Sequence, residues 1–364
     1  GNGLAGATQM GGGSGTWTTT SPNWTDTTGS VSTAMQPQPT FAIFGGAPGT
    51  VTVDNGAGNV SATGMQFASN GYTLAGGTLS LVGSSGNAPI IRVGDGSAAG
   101  ATYTATINNV IAGTSGLTKS DLGTLVLTGA NTYSGDTSIN AGTLQGDSSS
   151  LKGNIADNAI LVFNQATAGI YAGAISGAGV LSKTGAGTLT FNGSSPFSGA
   201  TTVTSGKLVV GDDSHAGANL GGMVTVASGA TLGGIGTIGG LNLAGTVTPG
   251  NSIGTLRVTG DATFQQGSSY QIEAAPNGSS DQIAAAGKVT ILGGSAVVLA
   301  QAGNWAPRTD YTIITGAQGV SGQFASTSSS LLFLDPVLSY TANAVNLSLQ
   351  RNDTSFASVA QTPN

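Results

Sequence analysis

A stretch of about thirty residues is written twice in this chain, and that repetition limits the fold more than any other feature. Gly116-Leu117-Thr118-Lys119, followed by Gly123-Thr124-Leu125-Val126-Leu127, returns 64 residues later as Val180-Leu181-Ser182-Lys183, followed by Gly187-Thr188-Leu189-Thr190-Phe191. In the same register Gly129 meets Gly193, Tyr133-Ser134-Gly135 meets Phe197-Ser198-Gly199, and Gly142 and Leu144 meet Gly206 and Leu208. A repeat free of insertions implies one structural unit stacked on its neighbours, each covering an apolar face that the other cannot cover alone. A shorter beat lies inside it. Gly-Thr-Leu begins at Gly77, Gly123, Gly142, Gly187 and Gly254, and the steps from 123 to 142 and from 187 to 206 are both 19. Three coils of roughly 21 residues would fill the 64-residue unit.

Within each beat apolar residues alternate with small polar ones, as in Thr124 to Leu127 or Val224-Thr225-Val226, and Gly or Asn-Gly ends each run. Period-two alternation over three to five residues reads as half-buried strands. Composition agrees: 62 of 364 residues are glycine, and Glu273 is the only glutamate. Glycine is costly inside a helix, while the abundant Thr, Val, Ile, Asn and Ser favour strands and turns. The absence of a Gly-X-Y period excludes collagen, and 38% hydrophobic residues support a buried core. The predicted class is all-β, a parallel β-solenoid with capped ends.

Chemistry-bearing residues are sparse. Nine Lys and Arg are scattered singly, so no basic face exists for phosphate, and nucleic acid is not expected as a partner. There is no cysteine for a disulfide or thiolate metal site. Among the acids, Asp212-Asp213 is the one adjacent pair, and it reads as a solvated loop beside the sole histidine, His215. Gly1-Asn2-Gly3-Leu4-Ala5-Gly6 and Gly234-Ile235-Gly236-Thr237-Ile238-Gly239 both fit G-x-G-x-x-G, but neither opens a helix after a strand, so no cofactor is assigned. Gly250-Asn251-Ser252-Ile253-Gly254 fits the G-x-S-x-G of serine hydrolases, with His215 as the available base. That motif needs a strand-to-helix elbow and no helical pattern follows Ser252, so a turn is predicted and no catalytic residue is assigned.

The segment Gly116 to Leu144, with Leu-x-Lys, Gly-Thr-Leu-x-Leu-x-Gly, Asn131-Thr132-Tyr133-Ser134-Gly135 and Gly142-Thr143-Leu144, resembles the passenger-associated repeat of autotransporters. Thr248 to Val258, then Tyr270 to Glu273, Tyr311 to Ile314 and Gly322-Gln323-Phe324, resembles the autochaperone end of such passengers. The resemblance implies a right-handed parallel β-helix of the cell surface or extracellular space, exported through the periplasm and outer membrane with its own outer-membrane β-barrel as partner. It implies a non-catalytic stalk or adhesin, with host or neighbouring-cell surfaces or glycans as possible partners. The expected organisation is an N-terminal cap over 1–45, a repetitive β-helix over 46–248, an autochaperone-like end over 249–350, and over 351–364 the start of a linker to a barrel absent from this sequence. Within 249–350, Leu331-Leu332-Phe333-Leu334 is expected as an apolar strand.

The enzymatic alternative is a β-helix lyase or glycosidase, and beside it stands a sugar-binding solenoid. Hydrolysis of a glycoside generally needs two carboxylates across a cleft, and no spacing in the sequence brings Glu273 to an aspartate. Trp17, Trp24, Tyr103 and Trp305 are the aromatic residues able to stack on a sugar, and cap or core positions explain them more simply.

Overall fold

A computed structural model describes residues 11–25, 32–84 and 86–354, arranged as two compact units, 1–185 and 186–364. Gly1 to Gly6 and residues 355–364 of the expected linker lie outside the described residues.

In the first unit the chain winds through parallel ladders. One holds Thr104–Ile107, Thr124–Leu127, Thr143–Gly146, Ile160–Asn164 and Val180–Thr184, with Ala105, Leu125, Leu144, Leu161 and Leu181 in one row. A second holds Ile90–Val93, Leu117–Ser120, Thr137–Ile139, Ile155–Asp157 and Ile175–Ser176, with Leu117, Thr137, Ile155 and Ile175 in one row. The alternation seen in sequence becomes alternation of burial, since Leu125, Leu127, Leu144 and Leu161 point inward at 0–1% exposure. This is a parallel β-helix.

The 64-residue repeat is longer than three whole coils, contrary to the expected 21-residue coil. Leu125 to Leu144 takes 19 residues, Leu144 to Leu161 takes 17, and Leu161 to Leu181 takes 20. Three coils are used up at Leu181, 56 residues on, and eight residues of the 64 remain. The second copy is therefore displaced by one ladder. Leu117 of the first copy stands with Thr137, Ile155 and Ile175, whereas its counterpart Leu181 stands in the row of Leu125, Leu144 and Leu161.

Parallel pairing begins inside residues 1–45. Gly15–Trp17 pairs with Thr50–Val53, and Thr40–Phe44 pairs with Ser61–Phe67. Trp17, Trp24 and Phe44 pack edge to face at centroid distances of 5.0, 5.8 and 5.7 Å, and Trp17 is 1% exposed. Trp17 is a core ring, and the part-exposed Trp24 packs against it.

In the second unit a ladder runs through Thr188–Phe191, Lys207–Val210, Thr231–Gly234, Thr246–Pro249, Ser269–Ala274, Ser295–Ala300 and Ser326–Ser329. Its inward row includes Leu189, Leu208, Leu232, Val247, Tyr270 and Ala296, all buried. The end of this unit is built differently. Arg308–Gly316 pairs antiparallel with Ala344–Arg351, which pairs antiparallel with Leu334–Tyr340. The strand expected at Leu331 begins instead at Leu334; Leu332 and Phe333 form a turn that leaves Leu332 56% exposed. An apolar run alone does not distinguish strand from turn when the neighbouring hairpin sets the register.

Candidate functional site

The repeat's own polar residues are structural. Lys119 follows Leu117 on the inward face of Leu117–Ser120, so its ammonium enters the coil interior. There it donates to the carbonyls of Ser120 at 2.9 Å, Asp121 at 2.7 Å and Ala141 at 3.0 Å, the last belonging to the next coil. Burial pulls its pKa down to about 8, opposed by the nearby Asp121 carboxylate. Lys183, its counterpart in the second copy, is also buried and donates to the carbonyls of Thr184 and Gly185, both at 2.9 Å. Asn131 spans coils in the same way, accepting from Ile111 N–H at 2.7 Å and donating to Ser150 O at 2.7 Å. Coil corners leave carbonyls outside the ladders, and a long buried donor satisfies them. Only the shared Leu-x-Lys spacing signalled these lysines in sequence.

The site that sequence reasoning missed is a cleft of about 190 Å³ in the second unit. Its walls come from separated strands: Lys207 on Lys207–Val210, Thr248 and Pro249 at the end of Thr246–Pro249 with Gly250 and Asn251 just after it, Gln271 and Glu273 on Ser269–Ala274, and Leu299 on Ser295–Ala300. Asp281 closes it from below, 1% exposed, accepting from the N–H groups of Gly254 and Glu273 at 2.9 Å each. Burial pushes the Asp281 carboxyl up to about 7, against the pull of those two N–H bonds and of Lys207. No spacing predicted that Glu273 would meet an aspartate. The structure corrects this: a tight arc returns the chain from Ala274 to Ser280 and sets Asp281 beside Glu273. The Oγ1 of Thr248 is buried here with no hydrogen-bond partner among the described residues.

Two segments, 117–145 and 181–210, match the model of the passenger-associated transport repeat. A 105-residue segment is 56% identical to the adhesin BmaC autotransporter of Brucella suis biovar 1 (strain 1330), covering 29% of this chain and 3% of that protein. A 199-residue segment, 52% of this chain, is 38% identical to one extracellular serine protease of Serratia marcescens and 32% identical to another, covering 19% of each. The matched repeats and these relatives support an autotransporter passenger domain. Such a passenger is exported to the cell surface or the extracellular space, and this chain spans only a small part of the length of each of these relatives.

Since two relatives are called proteases, the passenger's hydrolase-like residues matter. Gly250 and Ser252 lie in a turn between Thr246–Pro249 and Thr255–Val258, strand on both sides, so the helix of a nucleophile elbow is missing there. The exposed Ser252 accepts a hydrogen bond from Gln301 Nε2 at 3.3 Å. His215 Nδ1 bonds Asp212 Oδ1 at 2.5 Å, and this bond is the main cause holding the Asp212 pKa below its ordinary value. Among the described residues no hydrogen bond joins Ser252 to His215. Asp212 also accepts from Asn192 and from Ser214 N–H, and Asp213 accepts from Asn251, so both acids serve loop geometry. The Gly234 to Gly239 motif runs from the end of one strand through a bend at Ile235 and Gly236 into the next; Gly234, at φ +105°, is needed because a Cβ would lie 2.2 Å from Val210 O.

Proposed function

We propose that this chain is a non-catalytic scaffold within the passenger, of stalk or adhesin type, whose C-terminal coils fold first and template the others. The observation that carries the reading is the antiparallel end of the second unit. A parallel ladder ends in unpaired N–H and C=O groups unless something covers them. Here the hairpin Leu334–Tyr340 with Ala344–Arg351 supplies that cover. Large side chains fill the coils beneath it. Phe264, Tyr270 and Phe324 lie 5.4 to 6.4 Å apart by ring centroid, and Tyr270 and Tyr311 donate their hydroxyls to Ile313 O and Ala275 O, both at 2.8 Å. In a solenoid, stability is roughly a sum of coil and neighbour contributions, so a well-filled, covered end can nucleate the stack.

Export through an outer-membrane β-barrel, as the family implies, would deliver such an end outside first. Limited proteolysis in moderate denaturant, read by mass spectrometry, is expected to leave a resistant fragment beginning between residues 210 and 260. A more resistant N-terminal fragment, or loss of both halves in one step, would overturn the nucleus. The absence of catalysis rests on the geometry of Ser252 and His215, which share no hydrogen bond, and on Asp281, whose carboxylate oxygens already serve backbone N–H groups.

A further inference from the structure

We infer that the cleft at Lys207, Gln271 and Glu273 binds a single hexopyranose ring, the terminal unit of a glycan. This goes beyond the scaffold reading and stands whether or not the C-terminal coils nucleate folding. The ligand class follows from the walls. Donors and acceptors are interleaved: Lys207, Asn251 and Gln271 offer N–H groups, while the Glu273 carboxylate and the amide oxygens of Gln271 and Asn251 offer acceptors. A small anion would face two carboxylates, and a small cation would face the Lys207 ammonium. An apolar ligand would bury several polar groups without partners, each at a desolvation cost. A sugar hydroxyl donates and accepts at once, so neighbouring hydroxyls on a ring match a wall of alternating donors and acceptors.

The rest of the lining agrees. The half-exposed Leu299 gives an apolar contact for the C–H face of a ring. At about 190 Å³ the cleft is smaller than the ~300–1,000 Å³ of drug-sized ligand sites, which leaves room for one ring and no more. That size also separates binding from hydrolysis, because a glycosidase must hold a ring on each side of the bond it breaks. Asp281, 1% exposed and held by the N–H groups of Gly254 and Glu273, forms the buried base of the cleft.

Saturation-transfer NMR and calorimetry on the whole chain, with the methyl glycosides of glucose, mannose, galactose and N-acetylglucosamine, test this directly. Sulfate and tetramethylammonium serve as the anion and cation probes. At least one glycoside is expected to saturate a single site at millimolar concentration. Gln271→Ala and Asn251→Ala should each weaken it by about tenfold, the loss of one well-placed hydrogen bond. Gln271 faces outward on its strand and Asn251 is exposed in a turn, so circular dichroism of the variants should match the parent; Glu273→Gln is the second-line variant if either misfolds. No saturation by any glycoside up to about 50 mM would overturn the assignment. So would an affinity unchanged in all the folded variants, or tighter binding of sulfate or tetramethylammonium in the cleft.

Discussion

Lys119→Met separates the lysine's charge from its bulk. The methionine keeps most of the unbranched aliphatic chain, so the loss is confined to three hydrogen bonds, to Ser120, Asp121 and Ala141. Each carbonyl left without a partner in a partly buried corner costs about 1–3 kcal/mol. Against this stands the relief of taking an ammonium out of the interior. A pKa lowered from 10.5 to about 8 corresponds to roughly 3 kcal/mol at neutral pH, at 1.36 kcal/mol per unit. The balance is a net destabilisation of about 2 kcal/mol for the coils around Lys119. Hydrogen exchange read by mass spectrometry is the right assay, because coils of a solenoid can open locally and one global midpoint would average them. The sign of the pH dependence adds a second readout. Between pH 8 and 10.5 the unfolded lysine holds a proton that the folded one has lost, so the parent gains stability as pH rises through that window. The parent-minus-variant difference should therefore grow by about 1.5 kcal/mol between pH 8 and 9.5. If Lys119→Met protects its coils as well as the parent at pH 7 and that difference is flat, the carbonyl anchor is wrong.

Leu125→Asp, at 0% exposure, buries an unpaired charge and should cost several kcal/mol, opening the coils of the first unit; near-parental exchange there would refute the inward register. Asp157 is buried with its pKa raised to about 6, and Asp281 with its raised to about 7, burial being the leading cause in both. The stability they contribute is full below about pH 4 and is lost as pH rises through 6 and 7, so the denaturation midpoint should fall from pH 5 to 7.5, and Asp157→Asn should flatten part of that fall. A midpoint that rises over this range in both proteins would count against it. Esterase, protease and glycosidase assays on the purified chain are expected to match buffer, and any activity abolished by Ser252→Ala or His215→Ala would establish a catalytic role.

The ladders were legible because period-two alternation survives almost unchanged in the structure: Thr124–Leu127 alternates half-buried with buried. The glycines were legible as punctuation but not as measures of coil length. Gly116 and Gly129 mark corners where successive coils press together, since a Cβ there would lie 1.6 Å from Asp136 O and 1.9 Å from Asn109 O. Those contacts fix where a coil turns, while the number of residues between corners is free to vary. In the second unit the step from Leu232 to Val247 takes 15 residues and that from Tyr270 to Ala296 takes 26. A cleft assembled from Lys207, Thr248, Gln271 and Leu299 depends on every one of those steps, and none can be read from local spacing.

The displaced register of the repeat also bears on where binding surfaces can arise. Leu181 stands one ladder on from its counterpart Leu117, so a feature written once per copy does not recur at the same place in the same ladder. A recognition site on this passenger must come from departures from the repeat. The cleft is such a departure. It forms where a 15-residue coil meets a longer one and where Gly233 takes an outward-facing place in the ladder. A Cβ at Gly233 would lie 2.9 Å from Lys207 Cε and 3.0 Å from Thr248 Oγ1, so its absence lets those two side chains converge. The regular coils thus supply rigidity, and the irregular ones bring unlike groups together at fixed distances, which is what recognition of a small polar ligand requires.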